Sequence, residues 1–172
     1  MKSRGACSGA SSGLSLVAVK KFFLLALAVT AAVFFCNAAC AGMVGQKLPD
    51  SYLNFVGKTP DWKGKPLLLE FWATWCPPCR QSIPHLNEIF AKYKDRGLMV
   101  VGVTDEDDAT IRRFQKGVPM DYPVATDKDG RLSEKMGVDG IPTAFLVNKA
   151  GEIVWEGHPM QLTDEDIAKI LE

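Results

Sequence analysis

The segment Leu67-Leu-Leu-Glu-Phe-Trp-Ala-Thr-Trp-Cys76-Pro-Pro-Cys79 decides how the rest of the chain is interpreted. It begins with successive apolar residues, a pattern typical of a strand covered on both faces. From Pro77 onward apolar residues recur every three or four positions, which predicts a helix. The free amide groups and the positive dipole end of a helix start favour a thiolate at Cys76, and Cys79 follows about one turn later. The segment therefore predicts dithiol–disulfide chemistry at a strand-to-helix junction.

The distribution of cysteines supports a redox role for this pair. The other cysteines all lie before residue 42, at Cys7, Cys36 and Cys40. An isolated Cys-x-x-Cys before a helix indicates redox activity rather than a disulfide scaffold. A zinc site needs more ligands than this pair, and His85 and His158 are the only histidines. We therefore predict no metal site and expect both histidines at the surface.

An N-terminal leader is predicted over residues 1–41. Lys20 and Lys21 precede an apolar run of 15 residues, and Ala39 and Ala41 have the spacing of a signal-peptidase site. We predict a secretory signal peptide that places a single domain over residues 42–172 in the periplasm or another extracytoplasmic space. Retention as a membrane anchor is an alternative, because the apolar stretch up to Val44 exceeds the roughly 20 residues that span a bilayer. Lipidation or a transit function of the leader also stay open.

The charge balance argues against a nucleic-acid partner. The chain has 20 Lys+Arg and 20 Asp+Glu, and residues 1–41 contain four basic residues and no acidic one. The remainder therefore carries a net charge of −4, which offers no strongly basic surface for a phosphate backbone. We expect contact with a membrane only through an uncleaved leader.

The order of predicted elements after the leader indicates an α/β layered domain. Strands alternate with helices and the chain then closes with a hairpin and a last helix, which predicts a mixed sheet. Pro84 lies inside the first helix and is expected to kink it. The acidic run 105–108 is assigned to a solvated helix start. The predicted strands are an edge strand or hairpin near 52–56, then 67–72, 98–103, 122–125, 143–148 and 152–155; the predicted helices begin at residues 77, 105, 131 and 163.

This order resembles the thioredoxin superfamily, and within it the exported TlpA/ResA-like thiol–disulfide oxidoreductases. The likeness covers about residues 43–172 and depends on Glu70-Phe-Trp-Ala-Thr-Trp-Cys-Pro-Pro-Cys79, on the helix proline and on Gly140-Ile-Pro-Thr143 before the penultimate strand. It implies a three-layer α/β/α sandwich with a central mixed sheet and an N-terminal hairpin extension.

The resemblance also implies roles for the site residues. Cys76 is the expected exposed nucleophile and Cys79 the buried resolving thiol. Pro142 is expected to be a cis proline beside the cysteines, with the Ile141 backbone pairing with the substrate chain and Thr143 next to it. Trp75 is expected to belong to the docking surface, whereas Trp72 packs in the core. Pro77 and Pro78 are expected to tune the redox potential.

Glu70 occupies the position of the buried acid in the thioredoxin pattern. Burial raises the pKa of a carboxyl group, which suits Glu70 to exchange a proton with Cys79. The alternative is that the strand lies at a sheet edge and Glu70 is solvated. Two positions depart from the family pattern: no lysine is present on the following strand at 98–103, and Ser82 stands where several thiol-reducing relatives carry a glutamate.

The function implied is reduction of protein disulfides in the cell envelope, for instance those of apocytochrome c during cytochrome c biogenesis. Such a protein needs a membrane thiol-electron donor to stay reduced outside the cytoplasm, and no cofactor is expected. Three alternatives stay open: an envelope disulfide oxidase, a copper-binding thioredoxin-like module, and a thiol peroxidase. The peroxidase motif Pro-x-x-x-Thr-x-x-Cys is incomplete, because no proline precedes Cys76 at that spacing.

Overall fold

A computed structural model describes residues 42–49 and 53–172, and a six-stranded mixed sheet forms the centre of this part of the chain. The predicted leader and its cysteines lie outside the described residues. The sheet order is β1-β4-β3-β2-β5-β6. Strands β2, β3 and β4 are parallel to one another, while β1, β5 and β6 are antiparallel to their neighbours. The strands are β1 Asn54–Phe55, β2 Leu67–Phe71, β3 Met99–Thr104, β4 Val124–Thr126, β5 Thr143–Val147 and β6 Ile153–Gly157.

Four α-helices connect or flank these strands, as the sequence periodicity predicts. Their ends follow local capping signals. Asp107 accepts the Thr110 N–H at 2.8 Å at the start of α2, and Thr163 forms a capping box with Asp166 at the start of α4. Helix α1 continues without a break through Pro84. The helices are α1 Pro77–Tyr93, α2 Asp108–Gln115, α3 Arg131–Lys135 and α4 Asp164–Leu171; short 3₁₀ turns lie at Lys94–Arg96 and Pro159–Gln161.

The sheet is covered on both faces, which confirms the predicted three-layer α/β/α arrangement. Leu68 and Trp72 of the β2 region face helices α1, α2 and α4. Leu67, Leu69 and Phe71 face the other way, toward α3 and the segment before β2. Every residue of β2 is buried, because the strand lies between β3 and β5 and has helices above and below it. Strand β2 therefore delivers the cysteine motif from the centre of the sheet.

The N-terminal extension is an edge strand rather than a hairpin. Strand β1 pairs with β4, and residues 42–48 run along the opposite edge of the sheet. There the Gly45 N–H donates to the Ile153 carbonyl at 2.7 Å, and the Leu48 N–H donates to the Gly151 carbonyl at 2.8 Å. The apolar side chains of the extension pack against the sheet, so both edges of the sheet are partly covered. No helix within residues 42–49 and 53–172 is long and apolar enough to cross a membrane.

Candidate active site

Cys76 and Cys79 form a disulfide at the start of helix α1. Their sulfurs are 2.11 Å apart and their Cα atoms 5.3 Å apart. Cys76 is the N-cap residue, with extended backbone, and its Sγ accepts the Cys79 N–H at 3.3 Å. Pro77 and Pro78 occupy the first helical positions, where they have no N–H to donate, so the Cys79 amide is the first donor that the helix offers to the sulfur. The predicted strand-to-helix arrangement is thus present.

The Ile141–Pro142 peptide bond is cis and lies against the cysteine pair. The Ile141 carbonyl oxygen is 3.8 Å from Cys76 Sγ, and Ile141 packs against the buried cluster that contains both cysteines and Trp72. Thr143 donates its hydroxyl to the Gly140 carbonyl at 2.7 Å and starts β5 next to β2. The fold therefore brings residues 141–143 beside the motif, although some 65 residues separate them from Cys76 in the sequence.

Cys76 is less accessible than expected. The sequence predicts an exposed nucleophile, but Cys76 is only 3% exposed, and Cys79 is fully buried. Cys76 belongs to a buried cluster with Cys79 and Trp72, against which Ile141 packs, and this burial accounts for the difference. Trp75 is 69% exposed, whereas Trp72 is buried, as predicted, with its ring centroid 5.4 Å from that of Phe114.

A groove of about 250 Å³ begins beside the motif, between the carboxyl ends of β2 and β3 and the loop before Pro142. Trp75 and Ile141 line it on the side of the cysteines. Asp105 and Asp139 contribute polar atoms to its other walls. The groove thus joins an exposed aromatic side chain to the backbone that lies next to Cys76 Sγ.

Glu70 is fully buried in the middle of β2, where Gly102 of β3 and Ala144 of β5 flank it. The alternative of a solvated edge position is therefore wrong. Burial raises the pKa of the Glu70 carboxyl to about 8, because the charged form loses its hydration, and the hydroxyls of Ser82 and, more weakly, Tyr122 oppose that rise. At neutral pH Glu70 therefore holds a proton in most molecules.

Ser82 connects Glu70 to the cysteine motif. Its Oγ lies 2.7 Å from Glu70 Oε1 and 2.7 Å from the Cys79 carbonyl oxygen, and the residue is fully buried. In the sequence, Ser82 stands out only as a departure from the family pattern. The signal that could have identified it is its position three residues after Cys79, which puts both side chains on one face of α1.

A small group of unpartnered polar atoms surrounds the other oxygen of Glu70. Glu70 Oε2, Trp72 Nε1 and the Tyr122 hydroxyl are buried without a hydrogen-bond partner among the described residues. Tyr122 faces the carboxyl group but stands outside hydrogen-bond geometry, so we assign the partner role to Ser82 alone. A Cβ on Gly102 would come within 2.8 Å of Trp72 Nε1 and 3.3 Å of Tyr122 Cε2. The missing side chain of Gly102 thus leaves room that these two aromatic side chains fill.

Glu106 holds the loop that precedes Cys76. Its carboxylate accepts the Thr74 N–H at 2.7 Å and the Thr74 hydroxyl at 2.6 Å, and the Thr104 hydroxyl lies 3.3 Å away. The sequence predicts that the whole acidic run 105–108 is a solvated helix start. That assignment is confirmed for Asp107, the N-cap of α2, but wrong for Glu106, which is half-buried and turned toward the motif.

The histidines take no part in this site. Both are half-buried rather than exposed; His158 Nδ1 accepts the Met160 N–H at 3.2 Å. Within residues 42–49 and 53–172, no group of three or more His, Cys, Asp or Glu side chains is arranged to hold a metal ion. The described site consists of the cysteine pair, its backbone neighbours and the two glutamates.

Comparison with known proteins agrees with this description. The model of the AhpC/TSA family matches residues 44–156. The thiol-disulfide oxidoreductase ResA of Bacillus thuringiensis is 40% identical over 97 residues, which is 56% of this chain and 56% of that protein. The protein of the same name from Geobacillus kaustophilus is 30% identical over 162 residues, 90% of this chain and 91% of its own length. The alignment with the Bacillus protein thus spans only about half of that relative.

A solved structure shares the fold. The crystal structure of a Chlorobium tepidum protein, provisionally assigned as thiol:disulfide interchange protein DsbE, superposes with a TM-score of 0.70 at 32% sequence identity. The match covers 77% of this chain and 100% of that one. The predicted thioredoxin-like fold is therefore confirmed.

Proposed function

Because the chain belongs to the AhpC/TSA family and carries the Cys76–Cys79 disulfide, we propose that it is a thiol–disulfide oxidoreductase that reduces protein disulfides. The observation that carries the proposal is the position of this pair: Cys76 caps a helix, and the Ile141 carbonyl lies 3.8 Å from its sulfur. The names of the relatives support the same chemistry. The catalytic residues proposed are Cys76, Cys79 and Glu70.

The reaction begins with the reduced pair and the Cys76 thiolate. The Cys79 N–H and the helix dipole stabilise this thiolate. The thiolate attacks one sulfur of the target disulfide, so a mixed disulfide forms and the other target sulfur leaves as a thiolate. The Cys79 thiolate then attacks Cys76 Sγ and releases the second target sulfur. The two electrons of the dithiol have passed to the target, and the protein is left with the Cys76–Cys79 disulfide.

Glu70 is proposed to accept the proton of Cys79 before the second attack. A buried thiol needs a base, and a base whose pKa lies near the working pH is effective. The pKa of about 8 for Glu70 meets this condition. Its link to Cys79 through Ser82 supports the assignment.

The substrate is proposed to dock across the groove beside the motif. Trp75 offers an exposed apolar surface, and the backbone at Ile141 and Thr143 offers polar groups for an extended chain. Pro142 holds this backbone next to the sulfur. Pro77 and Pro78 are proposed to tune the redox potential, because they remove two amide donors from the neighbourhood of Cys76.

We place this activity in the cell envelope, where the predicted leader would deliver the protein with the leader cleaved or retained as an anchor. A reductase there needs electrons from a membrane thiol donor, because its surroundings are oxidising. Apocytochrome c cysteines are a substrate of the right chemical class. The likeness to TlpA/ResA-like proteins favours reduction over oxidation.

The redox potential of the Cys76–Cys79 couple tests the direction of electron flow. A reductase should have a potential near that of thioredoxin, about −270 mV, and should reduce insulin disulfides with a supplied dithiol. A potential near about −120 mV would instead identify a disulfide-forming oxidase. Tight copper uptake without insulin reduction would identify a binding module.

Two cysteine variants test the assigned roles. Cys76→Ser should abolish insulin reduction, and retained activity would refute the catalytic assignment. Cys79→Ser should still attack targets but accumulate mixed disulfides, which non-reducing electrophoresis detects and which would identify the physiological substrates. Glu165→Gln, an exposed residue of α4 that does not line the groove, is a control for handling and oxidation.

A further inference from the structure

Ser82 makes two short contacts that its single proton cannot serve at once. Its Oγ is 2.7 Å from Glu70 Oε1 and 2.7 Å from the Cys79 carbonyl oxygen. A serine hydroxyl donates one hydrogen bond, and a carboxylate and a carbonyl both only accept. With an ionised Glu70, one of the two contacts would bring two acceptor oxygens together without a proton. With a protonated Glu70, the carboxyl O–H donates to Ser82 Oγ and Ser82 donates to the Cys79 carbonyl.

From this geometry we propose that Ser82 is a positioning residue for the resolving step, and that its hydroxyl changes partner with the proton of Glu70. When Glu70 is protonated, Ser82 donates to the Cys79 carbonyl. When Glu70 is ionised, Ser82 turns and donates to Glu70 Oε1. The inference rests on the proposed function, in which Glu70 accepts the proton of Cys79.

The change of hydrogen-bond partner fits the transfer of the proton and the exchange of bonds in the step in which Cys79 resolves the mixed disulfide. In the mixed disulfide, Cys79 is a thiol and Glu70 must be ionised to act as its base. The proton passes from Cys79 to Glu70, the Cys79 thiolate forms the bond to Cys76 Sγ, and the bond from Cys76 to the target sulfur breaks. The target leaves as a thiolate and takes a proton from water. The structure contains the Cys76–Cys79 disulfide, the state in which Glu70 has received its proton, and its contacts are those expected for that state.

The surroundings of Glu70 make Ser82 its only hydrogen-bonding partner among the described residues. Strands β3 and β5 present Gly102 and Ala144, which carry no charge. Helix α1 presents Ser82 and the cysteine pair, and the segment before β4 presents Tyr122, whose hydroxyl makes no hydrogen bond. The titratable groups facing Glu70 are therefore Tyr122 and, in the reduced protein, the thiols.

Loss of the Ser82 hydroxyl should make Glu70 harder to ionise. The hydrogen bond to the carboxylate is charge-assisted and stronger than the one that the neutral acid makes, so its removal raises the pKa of Glu70. Ser82→Ala should raise this pKa by about one unit. Ser82→Thr keeps a hydroxyl at the same place and should leave the pKa near its original value.

The pKa of Glu70 can be measured directly in the oxidised full chain. Protein labelled with ¹³C at the glutamate carboxyl is titrated by NMR, and the resonance missing in Glu70→Gln is that of Glu70. The expected result is an upward shift in Ser82→Ala and none in Ser82→Thr. An unchanged Glu70 pKa in a folded Ser82→Ala protein would overturn the proposal, as would the same shift in both variants.

The kinetic consequence is visible when the reduced chain reacts with a chromogenic aromatic disulfide in a stopped-flow instrument. The first released thiolate reports the attack of Cys76 and the second reports the attack of Cys79. Ser82→Ala should move the pH midpoint of the second phase upward with the Glu70 pKa and leave the first phase unchanged. In the Glu70→Gln background, Ser82→Ala should not alter the second phase; a shift there would contradict the proposal.

The same data separate this inference from the proposed function. If Glu70→Gln leaves the second phase with its original pH profile, the base role of Glu70 is wrong and the kinetic consequence falls with it. The NMR titration still decides whether Ser82 follows the Glu70 proton. If Glu70→Gln changes the profile but Ser82→Ala moves neither pKa nor midpoint, the proposed function stands and the role of Ser82 is refuted.

Discussion

Two glutamates lie beside the cysteine motif in opposite surroundings. Glu106 is half-buried, and its carboxylate accepts two donors from Thr74. Glu70 is fully buried, one of its oxygens has no partner among the described residues, and the other contacts only Ser82. The same side chain thus serves as a fixed support for the loop before Cys76 and as a proton-holding group behind Cys79. The number of donors and the access of water, rather than the residue type, decide between these roles.

Substitution of the two glutamates should change the stability of the protein in opposite directions, and the larger effect is expected at Glu70. The folded-state pKa of about 8 lies above the ordinary value of 4.5, so the stability associated with protonated Glu70 is full below about pH 4.5 and is lost as the pH rises through 8. Glu70→Gln removes the ionisable group, so the variant does not lose this stability as the pH rises. At about pH 9 the variant should exceed the original protein in free energy of unfolding by up to about 5 kcal/mol.

Urea unfolding of the oxidised protein across a pH series measures this effect. At about pH 4 the two proteins should differ little, and the gap should widen between about pH 4.5 and 8 and then level off. Glu88→Gln, an exposed glutamate on the same helix as the cysteines, provides the matched control and should show no such slope. A parallel pair of curves for Glu70→Gln and the original protein would mean that Glu70 ionises like a solvated acid.

A smaller and opposite effect is expected at Glu106. Glu106→Ala leaves the Thr74 N–H and hydroxyl without their acceptor, which should lower the free energy of unfolding by about 1 to 2 kcal/mol. The same two hydrogen bonds are lost at neutral and at alkaline pH, so the loss in free energy of unfolding should be similar at both. The same urea series gives the result, and Asp105→Ala, next to it and exposed, serves as control.

A gain in stability for Glu106→Ala at alkaline pH would show that the two glutamates are alike, and the comparison would fail. A loss equal to that of Asp105→Ala would show that the contacts with Thr74 do not hold the loop.

The smallest effect is expected at Tyr122. Tyr122→Phe removes a buried hydroxyl that makes no hydrogen bond, so the free energy of unfolding should change by less than about 1 kcal/mol. Because Ser82 alone hydrogen-bonds to the Glu70 carboxyl group, the variant should shift the Glu70 pKa less than Ser82→Ala does. The carboxyl NMR titration measures the shift.

Tyr93→Phe provides the contrast for that substitution. The Tyr93 hydroxyl donates to Asp164 Oδ1 at 2.6 Å, so its removal should cost stability without moving the Glu70 pKa. If Tyr122→Phe proved the more destabilising of the two, the Tyr122 hydroxyl would have a partner that the geometry does not reveal.

Much of the site could be predicted because its central part is local in sequence. The apolar strand, the cysteine spacing, the prolines in the first turn and the following helix all lie within 67–93. The odd charge of Glu70 in an apolar strand was visible, and so was its meaning as a buried acid. Cys76 is less accessible than the sequence predicts, because its buried cluster also packs against Ile141, which lies 65 residues later in the chain.

The contacts of Ser82 and Glu106 could not be predicted from the sequence. Ser82 lies on the inward face of α1, but nothing local says that Glu70 will be opposite it. Glu106 stands in a run of four acids that all suit a helix start, and only the approach of β2 and β3 turns it toward Thr74, which lies 32 residues earlier. Contacts of this kind depend on strand order and register, which local patterns leave open.

The sequence by itself determined the α/β order of elements and the cysteine pair at a helix start, because periodicity, capping residues and the Cys-Pro-Pro-Cys spacing act over a few neighbouring residues. It also marked Glu70 as an acid in an otherwise apolar strand. Only the tertiary structure decided which groups surround that acid. It placed β2 at the centre of the sheet, left Gly102 and Ala144 beside Glu70, and set Ser82 between the acid and Cys79. The pKa of a carboxyl group follows from water access and donors, and these exist only once distant segments have packed together.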